Sequence, residues 1–407
     1  MNISRRTVLT GMTAGAGLAI APGVNVSFAA EGAPARDILV VVFQRGACDW
    51  LQMLAPAGDP DYIANRPSIR IRSDGNTPGI GLASLNGVDL YLSPAVPELK
   101  TLYDSRKLAF VHATGLYTRD RSHFTCQDKM EKGTADADPG LNSGWLARHT
   151  ASVGVKSGLS VVSSSATNPV SLLGHPLAVA VADPQNFNVS GGTANATVIR
   201  LMHSTNTGAV TPYQTAALQT LNTVRDVQAS LTGFQDPSGT AGYTGGALSN
   251  ALRAVGRLVR MNVGVDVVTV DHGGWDHHNN LTNEFNARAT DFSRSINAFW
   301  TDMASYRDRI TLVSMTEFGR RFRENANQGT DHGAASAMMV LGGNVNGGRV
   351  YGVWPGLRAN QLDNGDMAVT TDYRQVLAEI LVKRRAEAKI SSVFPKVTYG
   401  ALGVIKA

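Results

Sequence analysis

Three nearly continuous apolar runs, rich in β-branched residues, set the pattern of the chain: 38–43 (ILVVVF), 265–270 (VDVVTV) and 310–315 (ITLVSM). Runs of this length are typical of strands buried on both faces, as in parallel sheets. Each run leads into a polar stretch that contains Asp, Glu or His. Because parallel strands end at one edge of a sheet, where α/β proteins bind their ligands, the pattern predicts one site at that edge.

Apolar residues at helical spacing alternate with these strands. The spacing predicts helices over 94–105, 211–233, 246–261, 281–307 and 371–385, and further strands over 108–112 and 337–341. Glycines in 67–92 predict an irregular or hairpin excursion, and the composition of 133–211 predicts long loops with a strand or two. This order indicates an α/β fold with a mostly parallel central sheet flanked by helices.

The stretch DHGGWDHH (271–278) holds five potential ligands for a metal ion or a proton within eight residues. Gly273 and Gly274 allow a sharp turn. Asp276 and His278, two residues apart, would point to the same side of an extended loop. The alternative is a polar turn after a core strand, but three His and two Asp residues at one strand end favour metal binding or proton transfer.

A second candidate position follows the strand predicted at 108–112. Ser122 is a favourable N-cap for a helix that begins near His123. A helix N-terminus at the end of a parallel strand offers unpaired N–H groups and the positive end of the helix dipole, which suit an anion. The alternative is a serine that only caps its helix.

The N-terminus has the features of an export signal. The motif SRR at 4–6 precedes a modestly apolar segment at 12–20, and the small-residue pattern SFAA follows. These features predict a twin-arginine signal peptide over 1–30, the alternative being a basic tail before an amphipathic helix. The mature protein is then expected in the periplasm or outside the cell, with the twin-arginine translocation machinery as a partner. Residues 31–407 are predicted to form a single domain.

Composition narrows the range of partners. Removal of the signal leaves 35 basic and 32 acidic residues, so the net charge falls from +5 to +3. Charged residues make up 17% of the chain and no long basic run lies outside the signal, which argues against nucleic acid as a partner. No stretch of about eighteen apolar residues follows the signal, so no membrane span is predicted in the mature chain.

Cys48 and Cys126 both adjoin candidate site residues. In an oxidising compartment they could form a disulfide, which would stabilise the fold by roughly 4 kcal/mol on the chain-entropy model. The alternative is a pair of buried thiols that act as small apolar side chains.

Five motifs occur in the order found in a known family. They are FQRGACDWL (43–51), RSHFTCQDKME (121–131), DHGGWDHH (271–278), TEFGRRFREN (316–325) and GTDHGAASAMMVLGG (329–343). On these motifs the chain resembles the DUF1501 family over nearly the whole mature length. That family is assigned by similarity to the alkaline phosphatase and sulfatase superfamily and commonly carries twin-arginine signals. The resemblance therefore implies an alkaline phosphatase-like fold.

The resemblance also implies metal ligands. Asp49 resembles the acid that binds one metal ion, and Asp276 with His278 resembles the ligands of the other. Glu317 departs from the pattern because Phe318 replaces the His that should follow, and His332 is expected to compensate. The complete set of implied ligands is Asp49, Asp276, His278, Glu317, Asp331 and His332. Carboxylate and imidazole ligands suit Zn²⁺, Mn²⁺ or Fe, so one or two divalent ions are expected, with zinc favoured.

Ser122 lies where the superfamily places its nucleophile, and His123 joins it as the second predicted catalytic residue. The formylglycine motif of sulfatases, C-x-P-x-R or S-x-P-x-R, is absent because Cys126 is followed by QDK. Two function classes follow. The first is an exported metal-dependent hydrolase of phosphoric or sulfuric esters, acting on a small-molecule or polymer substrate. The second is a non-catalytic secreted binding protein that keeps the fold with a degenerate or structural metal site.

Overall fold

The structure of the protein is a computed structural model that describes residues 37–118, 120–135, 141–154, 159–186, 212–387 and 389–406. The predicted signal peptide at 1–30 lies outside the described residues. Among the residues described, no helix is long and apolar enough to cross a membrane.

The main sheet has nine strands in the described part of the chain. They are β1 (Ile38–Gln44), β5 (Leu108–Gly115), β6 (Val161–Ser163), β7 (Val179–Ala180), β8 (Val267–His272), β9 (Ile310–Met315), β10 (Ser336–Gly342), β11 (Arg349–Tyr351) and β12 (Thr371–Asp372). Their order is β11-β5-β10-β9-β1-β8-β6-β7, with β12 paired to β5. Strand β10 is antiparallel to both neighbours and the other pairings are parallel. The predicted mostly parallel α/β sheet is therefore confirmed.

A smaller antiparallel sheet lies within the predicted excursion at 67–92 and just before it. Its strands are β2 (Leu54–Ala55), β3 (Ile80–Leu85) and β4 (Val88–Leu92), in the order β2-β4-β3. Asn86 and Gly87 connect β3 to β4 with φ values of 51° and 86°. Positive φ at both positions is what a two-residue hairpin turn needs, and Asn-Gly is its preferred sequence.

Helices cover both faces of the main sheet. They are α1 (Trp50–Met53), α2 (Pro60–Asn65), α3 (Pro97–Asp104), α4 (His123–Lys132), α5 (Trp145–Val153), α6 (Pro212–Leu231), α7 (Ala247–Arg260), α8 (Leu281–Asp302), α9 (Tyr373–Arg385) and α10 (Ile390–Val393). The helix predicted at 371–385 begins two residues later because Asp372 caps it: the Asp372 carboxylate accepts from the Arg374 N–H at 2.9 Å.

Strand β1 lies in the middle of the parallel strands, and all seven of its residues are buried. Val40 and Val42 belong to a core cluster that contains Phe292 of α8. Val41 belongs to a second cluster with Leu377 of α9. Since successive residues of a strand point to opposite faces, these two clusters form the layers on either side of the sheet.

Strand β8 begins and ends two residues later than predicted. The run predicted at 265–270 is a strand over Val267–His272, so Asp271 and His272 belong to the strand end and not to the following loop. His272 is buried, and its ring stacks on Phe292 with centroids 5.9 Å apart.

The two cysteines are free, buried thiols. Cys48 packs in the core cluster with Val40, and Cys126 packs in the cluster with Val41. The sequence left open a disulfide or two buried thiols that act as small apolar side chains. The structure agrees with the buried thiols.

One buried histidine makes the fold sensitive to acid. His112 of β5 is fully buried, and burial lowers its pKa to about 4, against an ordinary value of about 6.5. Below about pH 6.5 His112 takes up a proton in the unfolded chain but not in the folded chain. Its contribution to the free energy of unfolding is therefore fully present above that pH and is lost as the pH falls towards 4. We expect His112→Phe to lessen this fall by about 1.4 kcal/mol per pH unit in urea unfolding.

The control is Phe110→Leu in the same buried strand. This variant is expected to lower the free energy of unfolding about as much as His112→Phe, but it removes no titrating group. It should keep the wild-type pH dependence, part of which comes from His149 and His175, whose pKa burial also lowers to about 4. An unchanged slope in His112→Phe would show that His112 titrates alike in both states.

Candidate functional site

The carboxyl ends of β1, β8 and β9 lie at one edge of the sheet, because Phe43 pairs with both Asp271 and Met315. The loops that follow these strands meet there. The segment after β9 folds back on itself: the Gly319 N–H donates to the Ala334 carbonyl and the Gly333 N–H to the Gly319 carbonyl, both at 2.8 Å. This pairing brings the segment 331–333 against the loop that follows β9.

Two glycines allow the loops to approach one another this closely. Gly46 has a φ of +109°, and a Cβ there would lie 2.8 Å from the Asp276 nitrogen. A Cβ on Gly329 would lie 2.2 Å from the His278 carbonyl. Any side chain would push the loops apart at both positions, which accounts for glycine in the motifs RGACD and GTDHG.

Three of the predicted site residues form a compact group. One ligand atom from each of His123, Asp276 and His332 lies within 4.8 Å of the others. His123 Nε2 is 3.3 Å from Asp276 Oδ2, and His332 Nε2 is 3.2 Å from Asp276 Oδ1. His278 adjoins the group, with Nε2 2.9 Å from Asp276 Oδ1. These side chains, which we call the histidine cluster, could hold a metal ion.

The other ring nitrogen of each histidine faces an oxygen. His123 Nδ1 lies 2.7 Å from Glu317 Oε1, and His332 Nδ1 lies 2.8 Å from the Arg121 carbonyl. His278 Nδ1 lies 3.3 Å from Asp331 Oδ1. Carboxylate and carbonyl oxygens only accept, so each Nδ1 can donate to its oxygen, and the tautomer that does so leaves Nε2 available as a ligand atom on the side of the cluster. Outer-shell acceptors of this kind orient metal-binding histidines in proteins.

The spacing of the nitrogens also fits an ion. The Nε2 atoms of His278 and His332 are 3.1 Å apart. Two unprotonated nitrogens at this distance repel each other unless a proton or a cation lies close to both. Two nitrogens bound tetrahedrally at about 2.0–2.1 Å from one Zn²⁺ ion would be about 3.3 Å apart. The spacing of the histidine cluster therefore fits a divalent ion.

Local electrostatics keep the acids of the site ionised. Burial opposes the charge on Asp276, but Arg320, His278 and His123 lower its pKa to about 2. Burial also opposes ionisation of Glu317, and the hydrogen bonds from His123 and Gln127 outweigh it and lower that pKa. The bond to Glu317 raises the pKa of His123, whereas burial lowers that of His332.

Arg320 is a site residue that the sequence analysis did not single out. Its guanidinium is buried and donates to Asp276 Oδ1. It also donates to the carbonyls of Ala47 at 2.8 Å and Thr330 at 2.9 Å. Arg320 thus links the loops after β1, β8 and β9. The motif TEFGRRFREN contained a signal, since the first of two adjacent arginines follows a predicted strand end.

Glu317 lies outside the cluster and orients it. The side chain is fully buried, and Oε1 accepts from the Gly46 N–H and Gln127 Nε2, both at 2.8 Å, as well as from His123. Phe318, which follows, packs beside the histidines, with its ring 5.0 Å from that of His123. Like Arg320, Gln127 belongs to the site but was not identified by the sequence analysis.

Asp49, implied as a metal ligand by the resemblance, lies in a separate buried ion pair. Its Oδ2 accepts from Arg66 Nη1 at 2.8 Å and from the Thr330 hydroxyl at 3.2 Å. Its Oδ1 caps α1 by accepting from the Gln52 N–H. Arg66 is fully buried and supplies the positive charge at this position. The structure does not bring Asp49 into the histidine cluster, and its carboxylate is bound by Arg66 and Thr330 instead.

Ser122 is the N-cap of α4, as predicted. Its hydroxyl accepts from the Thr125 N–H over a long 3.5 Å contact, and its own N–H donates to Asp120 Oδ1 at 2.9 Å. The side chain is exposed at the start of the helix that carries His123.

The fold and the site together define an α/β protein with an Asp and His site at the carboxyl edge of its parallel strands. A family model described as "Protein of unknown function (DUF1501)" matches residues 110–383, more than half of the chain, and the chain belongs to this family. A search of curated proteins found no match. Among solved structures, the alkaline phosphatase from the Antarctic bacterium TAB5 is weakly similar, with a TM-score of 0.28 and 9% sequence identity. The similarity covers 78% of this chain and 95% of that chain.

The geometry predicts one divalent ion per chain. We expect protein purified without chelators to contain one equivalent of metal by elemental analysis, with zinc favoured by the imidazole ligands. His332→Ala should lose the metal. Asp49→Asn should keep it, although the uncompensated Arg66 charge should lower the free energy of unfolding by about 3–5 kcal/mol. Two equivalents in the wild type, or metal loss in Asp49→Asn, would restore Asp49 as a ligand.

Proposed function

We propose that this protein is an exported metal-dependent hydrolase of phosphoric or sulfuric esters. The observation that supports the proposal is the convergence of His123, Asp276 and His332 within 4.8 Å, with an oxygen acceptor behind each histidine. A structural polar turn does not need three histidine nitrogens within 3.3 Å of one carboxylate.

In the proposed reaction, different parts of the chain bind the metal ion and attract the substrate. His123, His278, His332 and Asp276 would hold the ion, which when bound acts as a Lewis acid towards ester oxygens and lowers the pKa of a nearby hydroxyl or water. The ten-residue helix α4 places its N-terminus at the site, and the positive end of its dipole attracts the anionic ester.

Ser122 is the proposed nucleophile. Its exposed hydroxyl stands at this helix N-terminus, where the 3.5 Å contact with Thr125 leaves the oxygen weakly engaged. In the proposed reaction Ser122 Oγ forms a bond to phosphorus or sulfur, the bond from that atom to the ester oxygen breaks, and the alcohol leaves. Water then releases phosphate or sulfate and restores the hydroxyl.

One observation favours the non-catalytic alternative. Arg320 donates to Asp276 Oδ1, so this carboxylate already has a cationic partner. In that function the histidine cluster would be a structural or degenerate metal site in a secreted binding protein. Turnover measurements separate the two functions.

We expect Ser122→Ala to abolish hydrolysis of 4-nitrophenyl phosphate and 4-nitrophenyl sulfate while it leaves the metal content unchanged. Loss of the cap alone should cost only about 1 kcal/mol in unfolding free energy. The matched control is Thr125→Ala, in the same exposed turn, which keeps its backbone N–H and should keep turnover. If wild-type protein with Zn²⁺, Mn²⁺ or Mg²⁺ hydrolyses neither ester, the binding-protein function replaces the hydrolase.

Export by the twin-arginine route is part of the proposal, supported by the SRR motif at 4–6. A protein that folds around its metal before transport would reach the periplasm or medium loaded. Replacing Arg5 and Arg6 together with lysine should leave precursor in the cytoplasm, as measured by cell fractionation and immunoblotting. The control is Arg36→Lys, beyond the predicted signal, which should be exported normally. Export of the double variant would argue for another route.

A further inference from the structure

A cleft of about 440 Å³ opens beside the histidine cluster. Asp331 and Asn325 are part of its lining. Asp331 Oδ1 lies 3.3 Å from His278 Nδ1, and Asn325 Nδ2 donates to the His278 carbonyl at 2.9 Å. The cleft and the candidate metal site therefore share a wall. Its volume lies within the range of about 300–1,000 Å³ that small-molecule sites occupy.

The lining of the cleft combines apolar and polar surfaces. Phe322, Leu357 and Leu362 supply the apolar part. Asp61 and Arg323 supply hydrogen-bonding groups of opposite charge. An apolar wall with a few polar groups is the usual composition of a site that orients a bound organic molecule.

Several of the polar groups already have partners. Glu324 accepts from the Ser68 N–H at 3.0 Å, from the Ser68 hydroxyl at 2.8 Å and from the Ile69 N–H at 3.1 Å. Arg323, which is exposed, donates through Nε to Asn65 Oδ1 at 3.2 Å. Within the described residues, the two terminal nitrogens of Arg323 and the carboxylate of Asp61 have no hydrogen-bond or ion-pair partner.

The free groups favour a ligand that both donates and accepts. The cleft lining carries both signs of charge. An anionic group would gain from Arg321 and Arg323 but would meet Asp61, Glu324 and Asp331, and a cation would meet the two arginines. A hydroxyl carries one donor and two acceptor positions, so a ring with several hydroxyls satisfies both kinds of group at once. Its C–H faces would contact Leu357 and Leu362.

We propose that this cleft binds a sugar ring and that the substrates are sugar phosphates or sugar sulfates. The inference rests on the proposed ester hydrolase for its second part, since the ester group would lie at the histidine cluster. Arg323 is then a specificity residue that recognises the hydroxyls of the substrate.

The test compares esters that differ only in hydroxyl groups. The probes are the 6-phosphates and 6-sulfates of glucose, galactose, mannose and N-acetylglucosamine, against cyclohexylmethyl phosphate and sulfate. We expect kcat/KM for the best hexose ester to exceed that for the cyclohexylmethyl ester by about tenfold or more, because unmet polar groups in the cleft penalise the analogue. Arg323→Leu should reduce this ratio by about fivefold or more, which corresponds to loss of one hydrogen-bonded group.

The matched control is Arg294→Leu, whose side chain on α8 is 59% exposed and lies outside the cleft lining. It should keep the wild-type ratio. Binding of the four free hexoses, followed by saturation-transfer NMR, gives a readout that does not need turnover, and the signal should disappear in Arg323→Leu.

The two measurements separate the two proposals. Ester turnover without a hexose preference, and without an Arg323-dependent hexose signal, would overturn the sugar inference and keep the hydrolase. An Arg323-dependent hexose signal in a protein that hydrolyses no ester would support the cleft and overturn the hydrolase. Absence of both turnover and hexose binding would overturn both.

Discussion

The buried guanidinium of Arg320 holds the candidate site together. It donates to the carbonyls of Gly46, Trp275 and Thr330, which come from loops after three different strands. A cation in the interior requires several oxygen partners, since its desolvation is otherwise costly by several kcal/mol. That requirement fixes the three loops relative to one another. His278 and His332 lie on two of these loops, and His123 of α4 contacts Glu317, which lies on the loop after β9.

Buried hydrogen bonds also orient His123. Glu317 is buried among donors from Gly46, Gln127 and His123, and it stays ionised because their hydrogen bonds outweigh the cost of burial. Gln127 Oε1 in turn accepts from Arg45 Nη1 at 3.0 Å. Arg45 pairs with Glu131 at 3.1 Å, so each polar group in this sequence of contacts has a partner. A histidine held in this way loses little rotational freedom when it binds an ion, which favours binding.

The strands and the location of the site could be predicted from the sequence, because both depend on local patterns. Period-2 spacing placed Asp276 and His278 on one side, and the structure shows their side chains 2.9 Å apart while His277 is buried near Phe285. The role of Asp49 could not be predicted. Its partner, Arg66, lies in a segment without a motif, and nothing in the local sequence indicates that the two side chains are buried together.

The ion pair between Arg320 and Asp276 does not exclude a metal, because the two oxygens of Asp276 have different partners. Oδ1 contacts Arg320, His278 and His332, whereas Oδ2 faces His123 Nε2 at 3.3 Å. A carboxylate can therefore keep its bond to the guanidinium through one oxygen and offer the other as a ligand. The bond to Arg320 would then orient the ligand, as second-shell contacts do in metal sites, and Asp276 would not need to reorganise when the ion binds. The contact between Arg320 and Asp276 is therefore compatible with a metal-dependent hydrolase as well as with a non-catalytic binding protein. The choice between these two functions depends on Ser122.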